Sequence, residues 1–304
     1  MNSITLSTPP NFSFKSTLYS HGWADLPPFN FNEGELGLNY VFPIPTGKVY
    51  RLQIKSSHSN KLDILINNDA RESERRHFLA AVNRMFRLDE DYDQFYSMAK
   101  KYIEFSWIVD FGAGRLLRCS SLWEDMVKML CTTNCTWRLT QIMVENLVEK
   151  LGDKIKDEKG KIIASAFPDA KSIAFCNEEF LRGEIKMGYR APYLLEFSQA
   201  VTNGDLDLDE FENTNIPTPD LYKHLRAIKG FGDYAVSNLL KLLGRYDYLG
   251  ADSWSRQKFA EKHNKGNACD DEHIKEYYNK FGKWSGLFFW MDVCEDWYKK
   301  EKPW

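Results

Sequence analysis

Residues 225–252 read LRAIKGFGDYAVSNLLKLLGRYDYLGAD, and this stretch decides the fold. Gly230 and Gly232 bracket Phe231 between two apolar-periodic segments. That is the pattern of two short helices joined by a tight turn, since glycine accepts left-handed dihedrals without a Cβ clash. The helix–turn–helix unit is placed at about residues 221–243. Its second helix offers its N-terminus to solvent, where free N–H groups and the helix dipole can hold a phosphate oxygen without reading any base. Asp252 follows Gly232 by 20 residues, after a Tyr-rich run and a Gly250, Ala251 break that lets it project from a loop.

Composition sets the frame around this unit. With 304 residues, 43% hydrophobic and 14% aromatic, the chain can fill one large core or two domains. Its net charge of −3 argues against a basic, sequence-indifferent coat for nucleic acid. Charge can still be segregated: residues 205–212 hold five carboxylates and no base, as expected of a solvated edge turned away from any polyanion. Six cysteines, at 119, 131, 135, 176, 269 and 294, form no Cys-x-x-Cys pair. Cys131 and Cys135 read as a buried thiol pair rather than a metal site. No basic-then-apolar leader and no run of about 18 apolar residues is present, so a reducing, intracellular (cytoplasmic, nucleoid or nuclear) setting and no membrane association are expected.

Residues 12–68 alternate short β-prone runs, at 12–19, 38–43, 48–56 and 62–67, with Pro, Gly and Asn breaks, which predicts an antiparallel sheet. From Arg71 the pattern turns helical. Ser121 followed by Glu124 predicts a capping box opening a helix over 122–131, and an apolar stripe predicts another over 137–151. The lysine-rich piece 154–161 reads as an exposed loop. The expected class is α+β: a sheet-containing N-terminal domain over 1–100, with helices from about 71, then a mainly helical domain over 101–304.

The hairpin followed by Asp252 resembles the helix-hairpin-helix DNA glycosylases, the superfamily of the alkylated-base and 8-oxoguanine repair enzymes. Three further segments carry the resemblance: Cys131-Thr132-Thr133-Asn134-Cys135, Met187-Gly188-Tyr189-Arg190-Ala191, and Trp284-Ser285-Gly286-Leu287-Phe288-Phe289-Trp290. It is strong over about residues 105–296, whereas before residue 100 only the strand-rich character agrees.

The resemblance implies roles residue by residue. Gly230, Phe231 and Gly232 would grip DNA backbone. Asp252 would stabilise the cationic sugar of the transition state and orient water, unless it only caps the following helix. Asn134 would fill the hole left by a flipped base, or cap the helix from Trp137. Tyr189 would wedge between bases and Arg190 would face the estranged base, the alternatives being core packing and a surface ion pair. The register of the final segment would put Asp292 and Asp296, with Tyr234, at the base pocket, unless the acids face solvent. Carboxylates there suit a base presenting N–H donors or positive charge, as alkylated purines do. Bifunctional members carry a lysine two residues after the second glycine, where its amine forms a Schiff base. This chain has Tyr234 there, and neither Lys229 nor Lys241 occupies that position.

The expectation is therefore a monofunctional DNA glycosylase acting on a damaged, alkylated base in double-stranded DNA. The alternatives are an oxidised-purine glycosylase and a non-catalytic damage-binding protein. No cofactor is required; a monovalent cation at the hairpin carbonyls and a monomeric state follow by analogy.

Overall fold

The N-terminal part is a five-stranded antiparallel sheet built from β1 (Asn2–Ser7), β2 (Asn30–Asn32), β3 (Gly37–Pro43), β4 (Val49–Ser57) and β5 (Lys61–Ile66), in the order β1-β5-β4-β3-β2. The structure, a computed structural model, describes residues 2–57, 60–212 and 215–299. Alternation explains the sheet. Tyr50, Leu52 and Ile54 of β4 and Leu62, Ile64 and Ile66 of β5 are buried, and the register pairs Leu52 with Ile66 and Ile54 with Ile64. A slip of one residue would turn that whole face to water.

Two local expectations are corrected. Residues 12–19 hold a short helix, Phe14–Leu18, and not a strand, because Ser13 accepts the Ser16 N–H at 3.2 Å and nucleates a turn. The strand beside β5 is instead Asn2–Ser7, whose Ile4 and Leu6 alternate with polar neighbours. The lysine-rich piece begins as a short strand, Lys154–Lys156, paired with Ile162–Ser165, and its remainder, 157–161, is the exposed loop between them.

The helical remainder includes Leu122–Thr132 and Trp137–Leu151, as the periodicity predicts. Ser121 caps the first by accepting the Glu124 N–H at 3.3 Å. Glu124 does not complete the box. It turns inward, accepting from the Tyr40 hydroxyl at 2.5 Å and pairing with Lys128 at 2.8 Å. Lys128 in turn donates to the Leu26 carbonyl at 3.3 Å. Beside it, Asp125 accepts from the Trp23 indole at 2.9 Å and pairs with Arg84 at 3.0 Å. These buried polar contacts fix how the sheet and its loops sit on the helices, a task for which ion pairs are better suited than for raw stability. Buried residues of sheet and helices form one continuous cluster.

The acidic stretch is less solvated than expected. Phe211 is buried, and Glu212 pairs with Arg84 and Arg118.

Candidate active site

The hairpin consists of Thr218–Ala227 and Asp233–Leu242. Its two glycines differ in kind. Gly230 has φ +90°, and a Cβ there would stand 2.9 Å from both Leu130 Cδ1 and Tyr193 Cβ. Gly232 has an ordinary φ of −78° and open space around it. As the N-cap it contributes no side chain, so the first N–H groups of the second helix are left for an anion. Asp233 in that first turn is held by the Tyr222 hydroxyl at 2.6 Å and Arg226 Nε at 2.7 Å, which together pull its pKa down. The guanidinium offsets a carboxylate that would otherwise repel phosphate. Phe231 is 1% exposed and packs edge-on against Phe197, so only its backbone faces the turn. Its expected part in gripping DNA is corrected accordingly: the side chain belongs to the core.

The same turn bears on a hairpin cation. The Ile228 carbonyl accepts the Phe231 N–H at 3.2 Å, and the Phe231 carbonyl already receives Arg226 Nη1 at 3.3 Å. An ion drawn to these oxygens would meet a guanidinium, so the turn does not fit the role and no step is assigned to such an ion.

Asp252 ends the loop after the hairpin and caps Ser253–His263. One oxygen, Oδ1, accepts both the Ser255 N–H and the Ser255 hydroxyl at 2.7 Å. The other, Oδ2, has no hydrogen bond among the described residues. Capping and exposure are thus divided between the two oxygens of one carboxylate, leaving Oδ2 available to a reacting group.

Asp252 lines a cavity of about 480 Å³. Its walls are rich in aromatic rings: Trp254, Trp290 and Trp297 form a cluster in which the Trp254 and Trp297 rings lie 5.3 Å apart. The sheet side contributes His21 and Trp23. The His21 Nε2–H donates to the Leu117 carbonyl at 2.7 Å, and burial drives the imidazole pKa down to about 4, so the ring is neutral at ordinary pH. Tyr234, Asn238 and Lys241 follow one another along a face of the hairpin's second helix. A more polar cavity of about 680 Å³ shares Tyr234, Asn238 and Asp252 and runs on to Asn134, Asp233 and Ser253. Asp252 therefore stands between an aromatic chamber and a more polar groove.

Beside the groove, Asn134 has φ +46° and donates to the Tyr189 hydroxyl at 3.3 Å. Thr136, and not Asn134, caps the helix from Trp137, so the Asn134 amide is not consumed by capping. Tyr189 is 47% exposed. Arg190 is 3% exposed, donates through Nε to Thr133 Oγ1 at 3.1 Å and through Nη2 to the Thr133 carbonyl, and lies 4.5 Å from the Tyr189 ring. Its placement corrects the expected contact with an estranged base: the guanidinium is occupied in bracing the Asn134 turn.

No family model matches the chain, and no curated protein is similar to it in sequence. Solved structures are similar over nearly its full length. The structure of MBOgg1 with a low-affinity DNA ligand shares 22% identity, covering 97% of this chain and 96% of that one, with a TM-score of 0.74. The 8-oxoguanine glycosylase/lyase of Clostridium acetobutylicum shares 20%, covering 96% of each chain, at 0.73. The 3-methyladenine DNA glycosylase of Archaeoglobus fulgidus shares 16%, covering 97% and 98%, at 0.76. The fold is that of the helix-hairpin-helix DNA glycosylases.

Within this glycosylase fold the final helix, Ser285–Lys299, is turned differently from the sequence expectation. Trp290 and Trp297, seven residues apart, face the chamber, which turns Asp292 to the opposite side and Asp296 to the flank of the helix. Asp292 is buried against His263 Nε2 at 2.6 Å, Lys262 and the Tyr278 hydroxyl. Asp292 and Asp296 line a separate cavity of about 230 Å³ with Lys258, Lys262 and Glu295. Neither lines the chamber, because the helix turns Asp292 by about half a turn and Asp296 by about a third of a turn away from the indoles. Lys229 is an exposed partner of Glu196 at 2.8 Å.

Cys131 and Cys135 are not paired through their thiols: the buried Cys131 thiol lies 3.9 Å from Met187 Sδ, and the half-buried Cys135 thiol donates to the Cys131 carbonyl at 3.1 Å. Among the described residues no three His, Cys, Asp or Glu side chains are grouped as metal ligands would be.

The residues that sequence reasoning missed are His21, Trp23, Lys241, Trp254, Trp290 and Trp297. Trp254 and Trp290 had a signal, since each lies within or two residues from a segment already singled out. His21 and Trp23 had none, because nothing local tells a loop near the N-terminus that it will wall a cavity more than 200 residues away.

Proposed function

We propose that this protein is a monofunctional DNA glycosylase of base excision repair, acting on double-stranded DNA with a damaged base. The observation that carries the reading is Asp252, with Oδ1 anchored by Ser255 and Oδ2 free at the junction of an aromatic chamber and the hairpin groove. The uncapped helix at Gly232 takes a backbone phosphate, and Tyr189 and Asn134 support the gap in the duplex. The extruded base enters the chamber, leaving its sugar near Asp252. As the C1′–N bond breaks, the carboxylate stabilises the positive charge spreading over the sugar and orients the water that completes hydrolysis. Tyr234 occupies the mouth where an amine would be needed for strand cleavage, and a phenol forms no imine. A monomeric, intracellular enzyme is part of this proposal.

The expectation of an alkylated base rested on Asp292 and Asp296, and their placement removes that support. Indole walls attract cationic bases through their π faces. The ammonium of Lys241 in the same chamber favours a neutral, oxidised base instead.

The test is a screen of base release from duplexes carrying alkylated, oxidised or deaminated bases, with Asp252→Asn as control. Release by the parent protein alone supports the reading. Lesion binding without release by either form would make the protein a damage-binding module, and equal release by both would remove Asp252 from the chemistry.

A further inference from the structure

Among the described residues Lys241 is the one lysine lining the chamber, and the mechanism above leaves it unused. It lies on the hairpin's second helix, seven residues after Tyr234, so it stands about 10 Å further along the axis at 1.5 Å per residue. Exposure falls along that row, from 41% at Tyr234 to 7% at Lys241. Tyr234 therefore marks the mouth and Lys241 the floor. The Lys241 side chain has no hydrogen-bond or ion-pair partner among the described residues. Its ammonium rests 4.2 Å from the centre of the Trp290 ring and borders the empty space of the chamber. A buried ammonium left without an acceptor is costly, and a ligand that brings one removes the cost.

Depth decides what that ligand atom is. In an extruded nucleotide the sugar stays with the backbone at the groove, and the base edge furthest from C1′ reaches the floor. We propose, building on the glycosylase reading, that Lys241 is the specificity residue of this chamber: its ammonium donates to an oxygen or ring-nitrogen acceptor of the extruded base. It thereby selects neutral, carbonyl-bearing damaged bases over cationic N-alkylated ones. Like charge disfavours a cationic purine beside an ammonium, and Trp290 already offers its face to the lysine.

Burial pulls the Lys241 pKa down to about 8, against the opposing charges of Asp252 and Cys294. Of the other titratable groups lining the chamber, His21 is neutral and the Tyr234 phenol is pushed up by burial. Asp252 and the Cys135 thiol line the chamber as well, and Lys241 is the group whose titration burial brings toward neutrality. Its donor is present below about pH 8 and is lost above it.

The experiment measures single-turnover base release from duplexes bearing 8-oxoguanine or hypoxanthine, which are neutral, and N7-methylguanine, which is cationic. It uses the parent protein, Lys241→Met and Lys241→Arg, with folding checked by thermal melting. The parent should prefer the neutral bases. Lys241→Met should lose about 10- to 100-fold on them, the span covered by a charged hydrogen bond, with no loss on N7-methylguanine. Lys241→Arg should retain part of the preference. The parent's rate on neutral bases should fall above about pH 8, and that limb should vanish in Lys241→Met. Equal losses on all three substrates, or a parent preference for N7-methylguanine, would overturn the assignment. So would a borohydride-trapped adduct that Lys241→Met abolishes, which would make the amine a nucleophile. If the parent releases no base at all, the glycosylase reading fails separately. Lys241 is then judged by binding, where Lys241→Met must weaken affinity for the neutral-lesion duplexes alone.

Discussion

Asn134 donates from its side-chain amide to the Tyr189 hydroxyl at 3.3 Å, joining two loops that are 55 positions apart in sequence. Tyr189 donates in turn to the Thr133 carbonyl at 3.3 Å, and Arg190 grips the same residue from its buried side. The two neighbours in the Gly-Tyr-Arg-Ala run therefore have different work, one facing outward and one bracing the turn.

Their substitutions should separate. Tyr189→Ala should reduce activity on a paired lesion much more than on a lesion opposite a gap, where no duplex distortion is needed, and should leave the melting temperature nearly unchanged. Arg190→Ala removes a buried guanidinium from the Thr133 carbonyl, a loss of about 2 kcal/mol for a charged hydrogen bond with its packing. It should lower the melting temperature and depress activity on every substrate alike. Thermal melts beside paired-versus-gapped assays decide the matter; a selective paired-substrate defect in Arg190→Ala would restore a direct role on DNA.

Asp252→Asn should reduce base release by about 10²–10³-fold or more, the usual cost of losing one preorganised electrostatic group. Asparagine caps helices as well as aspartate does, so the fold and lesion-DNA affinity, within about tenfold, should survive. Single-turnover excision against equilibrium binding checks this, and near-normal turnover would exclude the carboxylate from the chemistry.

The hairpin glycines should not behave alike. Gly230→Ala forces a Cβ against Leu130 and Tyr193 at φ +90° and should weaken binding to damaged and undamaged duplex equally, with a lower melting temperature. Gly232→Ala meets open space and an ordinary φ, so its effect on stability should be within about 0.5 kcal/mol. Loss confined to damaged DNA in Gly230→Ala would count against a phosphate clamp.

Product DNA should carry an intact abasic site, cleaved only on later treatment with alkali, because Tyr234 stands where a Schiff-base amine would be required. Borohydride added during turnover should trap no covalent adduct. Gel analysis of the cut strand before and after alkali gives the answer, and strand cleavage without alkali would place the enzyme in the bifunctional class.

Asp292→Asn should destabilise by about 3 kcal/mol, as expected when one partner of a buried ion pair is removed, without changing which base is preferred. Burial pushes the Asp292 carboxyl up, but His263 and Lys262 outweigh it and hold the pKa below the usual carboxylate range. A depressed carboxyl contributes stability above its unfolded pKa of about 3.9 and loses it as pH falls through the folded value. Acid unfolding below about pH 4 should therefore be shallower in the variant. A shift in base preference would return Asp292 to the pocket.

Much of this fold is legible in the sequence because its signals are local. The Gly230 turn, the stripe over 137–151 and the alternation of β4 and β5 each depend on residues within a few positions of one another. The sites that escaped depend on distance or phase. Phe14–Leu18 became a helix through one serine cap against β-prone neighbours, and Asp292 was misplaced by about half a helical turn. Lys241 lies seven residues past the motif's lysine position, and only the two turns of helix between them bring it into the chamber. The wall supplied by His21 and Trp23 exists only after the sheet has docked.

That docking gives the first 70 residues a meaning beyond support. Glu124 and Lys128, paired on one helix, are each held from the N-terminal part, Glu124 by the Tyr40 hydroxyl and Lys128 by the Leu26 carbonyl, in a chain of buried contacts. An excised helical fragment would keep the hairpin and Asp252, yet would open Lys128 and Asp125 to water and leave its chamber without one side. Amide protons of β3–β5 and of Leu122–Thr132 should then exchange through a shared opening event, as members of one cooperative unit. The completeness of the chamber and global folding would in that case be inherited together, and no shorter version of the chain would keep one without the other.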